Sequence, residues 1–343
     1  MTRADARRGS LVDRFGRAHQ DLRISLTDRC SLRCTYCMPA DGVPWLARST
    51  MLSTSELVRV ARVGVDLGVR EIRLTGGEPL LRVDVVDVVR RLTALSTPDG
   101  RPVEVSLTTN ALRLPALAAP LRDAGLTRVN ISLDTLDRAR FAELTRRDRL
   151  VETLAGIAAA DAAGLHPVKI NAVAMRGVND DEVVALTRFA VERGYQMRFI
   201  EQMPLDASHT WDRTQMVSQA EVLDRLRGAF ELTEVAGRGA APAELWHLDG
   251  GPATVGVIAS VSAPFCGACD RLRLTADGQL RACLFSQTEV DTREILRSGE
   301  DDEAVDDGLV AAFRQCLAGK KAGHDIDDPA FLQPRRPMSA IGG

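Results

Sequence analysis

From residue 22 to about residue 200 the chain repeats one unit, a short apolar strand, a turn and an amphipathic helix, and this period limits the folds open to it. The strand candidates are 21–27 (DLRISLT), 71–76 (EIRLTG), 103–110 (VEVSLTTN), 128–134 (RVNISLD), 168–174 (VKINAVA) and 196–201 (QMRFIE). Between them lie helical patterns such as STSELVRVARVGVDLG, VDVVDVVRRLTAL, LPALAAPLRDAG and VETLAGIAAADAAG, often ending at glycine as helix C-termini do. Strands that alternate with helices form a parallel sheet with right-handed crossovers. Six units predict an α/β fold, a partial (β/α)6 TIM-like barrel, since a closed one needs eight strands. Sites in such folds lie at the C-terminal ends of the strands.

After Pro204 the rhythm changes to one helical pattern around 217–230, a Gly/Ala/Pro stretch (AGRGAAPAE), short strands and turns, and one or two helices within 286–318. The expected organisation is an N-terminal tail (1–20), the partial barrel (21–204), an α+β extension that closes it (205–325) and a loop-like C-terminal tail (326–343). With 45% hydrophobic and 27% charged residues the chain reads as soluble. It has no run of eighteen apolar residues to span a membrane and no secretory signal pattern, so a cytoplasmic location is expected. A net charge of −3 argues against a general nucleic-acid surface but leaves room for a local cationic pocket. Only Lys169, Lys320 and Lys321 are lysines among 44 basic residues, which makes a mid-chain lysine worth attention.

The seven cysteines fall as Cys30, Cys34 and Cys37, then Cys266, Cys269 and Cys283, with Cys316 alone in a helical pattern and expected to be buried. The first three form a CxxxCxxC loop directly after the first strand, where a site should lie. Soft thiolates at this spacing suit zinc or an iron–sulfur cluster. Zinc wants a fourth ligand, and no histidine is near in sequence. A 4Fe-4S cluster on three cysteines instead leaves one iron open. The second group, CGACDRLRLTADGQLRAC, is open to a zinc knuckle completed by Cys316 or His324, or to a second cluster. The alternating Arg271 and Arg273 beside it would face one side of a strand and suit a phosphate. Arg23, Arg73 and Lys169 interrupt apolar strands of a sheet expected to be covered on both faces, where a charge needs a partner or a ligand, and Arg198 repeats the pattern.

The CxxxCxxC loop with Tyr36 before its last cysteine, followed by Gly76-Gly77-Glu78-Pro79 at the end of the second strand, resembles the radical S-adenosylmethionine enzymes. In that superfamily the open iron chelates S-adenosylmethionine, and one electron cleaves the sulfonium to a 5′-deoxyadenosyl radical. The resemblance implies S-adenosylmethionine contacts at Tyr36, Gly77, Glu78, Asn110, Ser132 and Met203. Two cysteine trios at opposite ends, with Arg-Leu-Arg after the CxxC of the second, closely resemble the GTP 3′,8-cyclase family, which opens molybdenum cofactor (molybdopterin) biosynthesis. That resemblance implies a second 4Fe-4S cluster whose open iron binds guanine, and GTP contacts at Arg23, Arg73, Thr108, Lys169, Arg198, Arg271 and Arg273. It implies that the Gly342-Gly343 tail reaches the site, that the radical takes the ribose 3′ hydrogen, and that C8 of guanine is attacked to give (8S)-3′,8-cyclo-7,8-dihydroguanosine 5′-triphosphate. An external electron donor, cyclic pyranopterin monophosphate synthase as the next enzyme, and room for a homodimer come with it. The alternatives are a peptide-modifying radical enzyme with an auxiliary cluster and a non-catalytic zinc-binding protein. Ala111 stands where relatives often have glycine after the asparagine, a small departure that leaves the assignment in place.

Overall fold

The computed structural model describes residues 10–206 and 209–342. Six strands appear where the period puts them, β1 Asp21–Ser25, β2 Glu71–Thr75, β3 Glu104–Thr109, β4 Arg128–Ser132, β5 Lys169–Ala174 and β6 Gln196–Glu201. The crossovers are α1 Thr54–Asp66, α2 Val85–Thr93, α3 Leu114–Asp123, the pair α4 Arg138–Thr145 and α5 Leu150–Ala162, and α6 Val183–Val191. Local chemistry sets the start of α1: Ser53 and Glu56 exchange side-chain and backbone hydrogen bonds in a capping box. Its buried face, with Leu57, Val60 and Ala61, then packs on the sheet.

All six strands are parallel in sequential order, and their side chains alternate. Leu22, Ile24, Ile72, Leu74, Val105, Leu107, Val129, Ile131, Ile170, Ala172, Met197 and Phe199 form the apolar set and are at most 1% exposed. The intervening set is polar and falls in rows, Arg273, Arg23, Arg73 and Ser106 in one, Thr108, Asn130 and Lys169 in the next, and Asn171 and Arg198 in a third. One face of the sheet is thus a core and the other is a site, because a two-residue period sends neighbours to opposite faces.

The C-terminal part does not form a separate layer. It contributes α7 Gln219–Arg227, β7 Leu232–Glu234, β8 Glu244–Leu248, β9 Thr254–Ile258, β10 Arg271–Leu274, β11 Gln279–Arg281, β12 Val290–Asp291, α8 Thr292–Leu296 and α9 Asp302–Ala318. Strand β9 pairs parallel with β6 and β10 pairs parallel with β1, so the six-stranded barrel gains one parallel strand at each edge. Antiparallel β11–β12 and β8–β7 continue outward to an open sheet of twelve strands. The expected tails are also more structured than their sequences suggest. Residues 10–20 fold back through a bridge between Val12 and Ala18, and the last segment contains a short helix, α10 Met338–Ile341.

Candidate active site

The first cysteine loop is held by continuing the strand ladder past its ends. Leu26 N–H donates to Thr75 O (2.9 Å), Gly77 N–H to Thr27 O (2.8 Å) and Glu78 N–H to Arg29 O (2.7 Å). This approach needs glycine at 77: an added Cβ would lie 2.6 Å from the Asp28 carbonyl oxygen and overlap that of Arg29. It delivers Glu78, 1% exposed, beneath the loop. There its carboxylate accepts from Leu80 N (3.0 Å), Thr109 Oγ1 (2.7 Å) and Asn110 N (2.8 Å), so it first braces β2 against β3. Asn110 Nδ2 donates to Ser31 Oγ at 3.0 Å, and Tyr36 donates to Asp134 Oδ2 at 2.8 Å, which fastens the loop to β3 and β4. Burial pushes the thiols of Cys30 and Cys37 up to about 11 and about 12, and that of Cys34 well above its ordinary value. Thiols so placed become ligands when a metal displaces their protons.

In the second group the thirteen-residue spacing becomes a hairpin. Strands β10 and β11 pair antiparallel with Arg273 opposite Arg281, so their arms bring Cys283 back beside Cys269. The thiol of Cys269 is opposed by burial, yet Arg271 and Lys320 hold it below its ordinary value. Of the two side chains considered as a fourth zinc ligand, His324 lines the cavity that the trio opens into but has both ring nitrogens engaged. His324 contacts Ser260 O through Nε2 (2.8 Å) and Ile326 N–H through Nδ1 (3.2 Å). Cys316 is 5% exposed in the hydrophobic core, as expected of it.

Both trios open into one cavity of about 320 Å³, lined also by Arg23, Arg73, Thr108, Ser132, Arg198, Met203, Arg271 and Arg273. Tyr36, Gly77, Glu78 and Asn110 line the same space. The cations in it repel one another. Burial first, and Arg73 next, bring Arg23 well below its usual range, while burial with Arg73 and Arg128 lowers Arg198 to about 9. Asp21 is the near counter-charge, 3.8 Å from Arg23 Nε. The Nε of Arg23, Nε and Nη2 of Arg271, and Oδ1 of Asn130 and Asn171 are buried without a hydrogen-bond partner. Buried polar atoms are nearly always satisfied, so the guanidinium donors mark where an anionic group of a guest belongs, and the two amide oxygens where its hydroxyl or N–H donors belong. Arg271 also stacks on the Phe265 ring, 4.5 Å from its centroid.

Lys169 is set apart from the other expected contacts. It does not line the cavity but sits beside Asn130 and Gln196 in the register, toward the N-terminal end of β5. Burial, with Arg198, Arg128 and Arg73, lowers it to about 7. The tail meets the site through Gly342, whose carbonyl accepts from Arg273 Nη1, while Ser25 Oγ donates to Ile341 O at 2.8 Å. Gly343 lies outside the described residues. Sequence reading missed Asn130 and Asn171. The two-residue period that singled out the arginines marks both as inward, and only their lack of charge hid them.

Ala111 has φ +68°, which explains why glycine suits this position. Left-handed backbone penalises alanine by roughly 1–2 kcal/mol. Glycine would lose about 0.4–1 kcal/mol through the unfolded chain and about 0.8 kcal/mol of methyl burial. The terms offset, and the alanine is tolerated.

A sequence profile of the Radical SAM superfamily matches residues 24–190, and one described as Molybdenum Cofactor Synthesis C matches residues 195–326. The chain is 54% identical to the GTP 3′,8-cyclase of Streptomyces coelicolor, covering 100% of both. It is 54% identical to that of Mycolicibacterium smegmatis, over 98% of this chain and 92% of the relative, and 54% to that of Corynebacterium glutamicum, over 97% and 89%. Among solved structures, Streptococcus suis SuiB bound to S-adenosylmethionine superposes with a TM-score of 0.59 at 16% identity, over 94% of this chain and 78% of that one. That likeness is one of fold.

Proposed function

The chain belongs to the GTP 3′,8-cyclase family of radical S-adenosylmethionine enzymes, and on that premise we propose that its cavity holds S-adenosylmethionine at the Cys30–Cys37 end and GTP at the arginine end. Its reaction is the first step of molybdenum cofactor biosynthesis, conversion of GTP to (8S)-3′,8-cyclo-7,8-dihydroguanosine 5′-triphosphate. The observation that carries the assignment of ends is the group of buried, mutually repelling cations beside the second trio.

Cys30, Cys34 and Cys37 would hold the superfamily's 4Fe-4S cluster, which with S-adenosylmethionine supplies one-electron sulfonium cleavage and a hydrogen-abstracting radical. Asn110, Ser132 and Met203 would border the adenosyl moiety, Gly77 lets the loop close on it, and Glu78 keeps that loop in place. Cys266, Cys269 and Cys283 would hold a second three-cysteine cluster near the guanine. Arg23, Arg73, Arg198, Arg271 and Arg273 would bind the triphosphate, with Thr108 beside it and Gly342 orienting Arg273. Anchoring the phosphates at several points fixes the ribose relative to the radical source, which is the main contribution a protein makes to such chemistry. An external one-electron donor, cyclic pyranopterin monophosphate synthase as consumer of the product, and a homodimer belong to the same reading. Among the described residues no helix is long and apolar enough to cross a membrane, and we place the reaction in the cytoplasm.

The direct test is anaerobic reconstitution followed by incubation with GTP, S-adenosylmethionine and a reductant, read by mass spectrometry. GTP-dependent 5′-deoxyadenosine together with a cyclised GTP product is expected. Deoxyadenosine without that product would remove GTP from the reading, and neither compound, with zinc bound, would remove the radical chemistry as well.

A second expectation concerns Lys169. Ligand-free, its ammonium titrates at about 7, so at pH 8 it is mostly neutral. A triphosphate nearby favours the charged form and raises that value, so binding takes up a proton and affinity falls as pH rises above 7. Calorimetry at pH 8 in buffers of different ionisation enthalpy should show this uptake, and Lys169→Met should reduce it. Equal proton uptake in both proteins would separate Lys169 from the triphosphate.

A further inference from the structure

Lys320 is 3% exposed and does not line the cavity, and the hydrogen bonds that fix its ammonium go to two carbonyls and a sulfur, with Asp270 acting on it only through its charge. Its three donors have three acceptors. Nζ donates to Arg271 O at 2.6 Å, to Ala282 O at 2.8 Å and toward Cys269 Sγ at 3.7 Å. Arg271 lies two residues after Cys269, and Ala282 immediately precedes Cys283. One ammonium therefore spans both arms of the β10–β11 hairpin and touches a thiol of the trio from behind.

The residue type fits this geometry. An ammonium sends three N–H groups from a single point, whereas a planar guanidinium fork cannot converge on three such acceptors. In a chain with three lysines among 44 basic residues, lysine here answers to the shape of the site. A second brace supports the same loop: Arg17 donates to Cys266 O at 2.5 Å and to Lys321 O at 2.7 Å, and is itself held by Asp13 Oδ2 at 2.6 Å. Residues 10–20 thereby fasten the chain just after Lys320 to the CxxC turn.

We propose that Lys320 is the positioning residue of the second trio, clamping its two arms at fixed separation and directing an N–H and a positive charge onto the Cys269 sulfur. The inference rests on the reading that this trio holds an iron–sulfur cluster. Hydrogen bonds and cationic charge at cluster sulfurs favour the reduced state and raise the reduction potential. Lys320 then both retains the cluster and sets its potential from the side away from substrate.

The test uses the full chain carrying Cys30→Ala, Cys34→Ala and Cys37→Ala, so that only the second trio can contribute iron. Iron and sulfide are counted after anaerobic reconstitution, and the midpoint potential is followed by EPR. Lys320→Met should lose at least half of the iron. Lys320→Gln, whose amide still reaches two carbonyls but carries no charge, should keep most of the iron and titrate at a more negative potential. Lys320→Arg should retain the potential better than Gln and bind less iron than the parent. A thermal melt of each variant with the first trio intact checks folding, and the Gln variant carries the test if Met fails to fold. Parental iron content and an unchanged midpoint in the Gln variant would overturn the proposal. A parent chain that binds no iron would instead remove the second cluster, and the proposal with it.

Discussion

Replacing Arg73 by methionine is expected to weaken GTP binding about 30-fold or more and, at the same time, to raise the melting temperature of the ligand-free protein. The two effects share one cause. Arg73 stands opposite Arg23 in the strand register, with one long hydrogen bond to Ser106 Oγ (3.4 Å), and burial, with Arg128 and Arg271, lowers its guanidinium below the ordinary value against the opposing pull of Asp21 and Glu71. Without a ligand, the folded chain keeps like charges together in a poorly solvated place, which is unfavourable. Methionine fills similar space without charge and removes the desolvation cost and the repulsion, offset in part by the lost attraction to Asp21, a net gain of about 1 kcal/mol and roughly 2 °C in a chain of this size. With GTP, the same substitution deletes a charge-assisted contact to phosphate, worth about 2–5 kcal/mol when buried, against 1.4 kcal/mol per decade of affinity. Calorimetric titration and scanning calorimetry with and without GTP read both quantities. A variant that binds GTP normally, or that is less stable when ligand-free, would show Arg73 to be structural.

The second large effect is expected from Gly77→Ala. A methyl group at 77 must push against the Asp28 and Arg29 carbonyls, which are backbone and cannot swing away. Overpacking of this kind costs about 1–3 kcal/mol. It also breaks the two hydrogen bonds from Gly77 and Glu78 that position the CxxxCxxC loop. The variant should lose most first-trio iron and all S-adenosylmethionine cleavage while keeping iron at Cys266, Cys269 and Cys283. Gly164→Ala is the control: its φ of +72° makes alanine strained, but nothing lies within 4 Å of the added methyl. It should lower the melting temperature slightly and leave iron content alone. Equal iron loss in both variants would point to general instability in place of loop displacement.

The barrel was legible because its signals are local. Six apolar strands with glycine-terminated helices between them carry their own period, and Arg23, Arg73 and Arg198 declare themselves by sitting where that period calls for apolar or inward side chains. The cysteines were legible because thiols at short spacing have few uses. What stayed hidden depends on pairings between distant parts of the chain. Nothing in the four residues Arg271–Leu274 says that they lie beside β1, or in Thr254–Ile258 that they lie beside β6. Glu78 stood out in the sequence as a candidate ligand contact, but nothing there marked it as the acceptor of three hydrogen bonds from Leu80, Thr109 and Asn110. Lys320 drew no expectation from the sequence beyond being one of three lysines, and only the meeting of α9's end with the β10–β11 hairpin makes it a buried clamp.

Strands that arrive late in the chain to cover both margins of an early sheet have a consequence during synthesis. As the polypeptide leaves the ribosome, residues 21–201 can assemble their parallel strands while β1 and β6 still expose unpaired N–H and C=O groups along their length. Bare margins of this kind invite pairing with another nascent chain. They are covered only when β9 and then β10 emerge, so a messenger truncated between the end of β6 and the start of β9 should give a sticky product, and the two halves are poor candidates for expression as separate pieces.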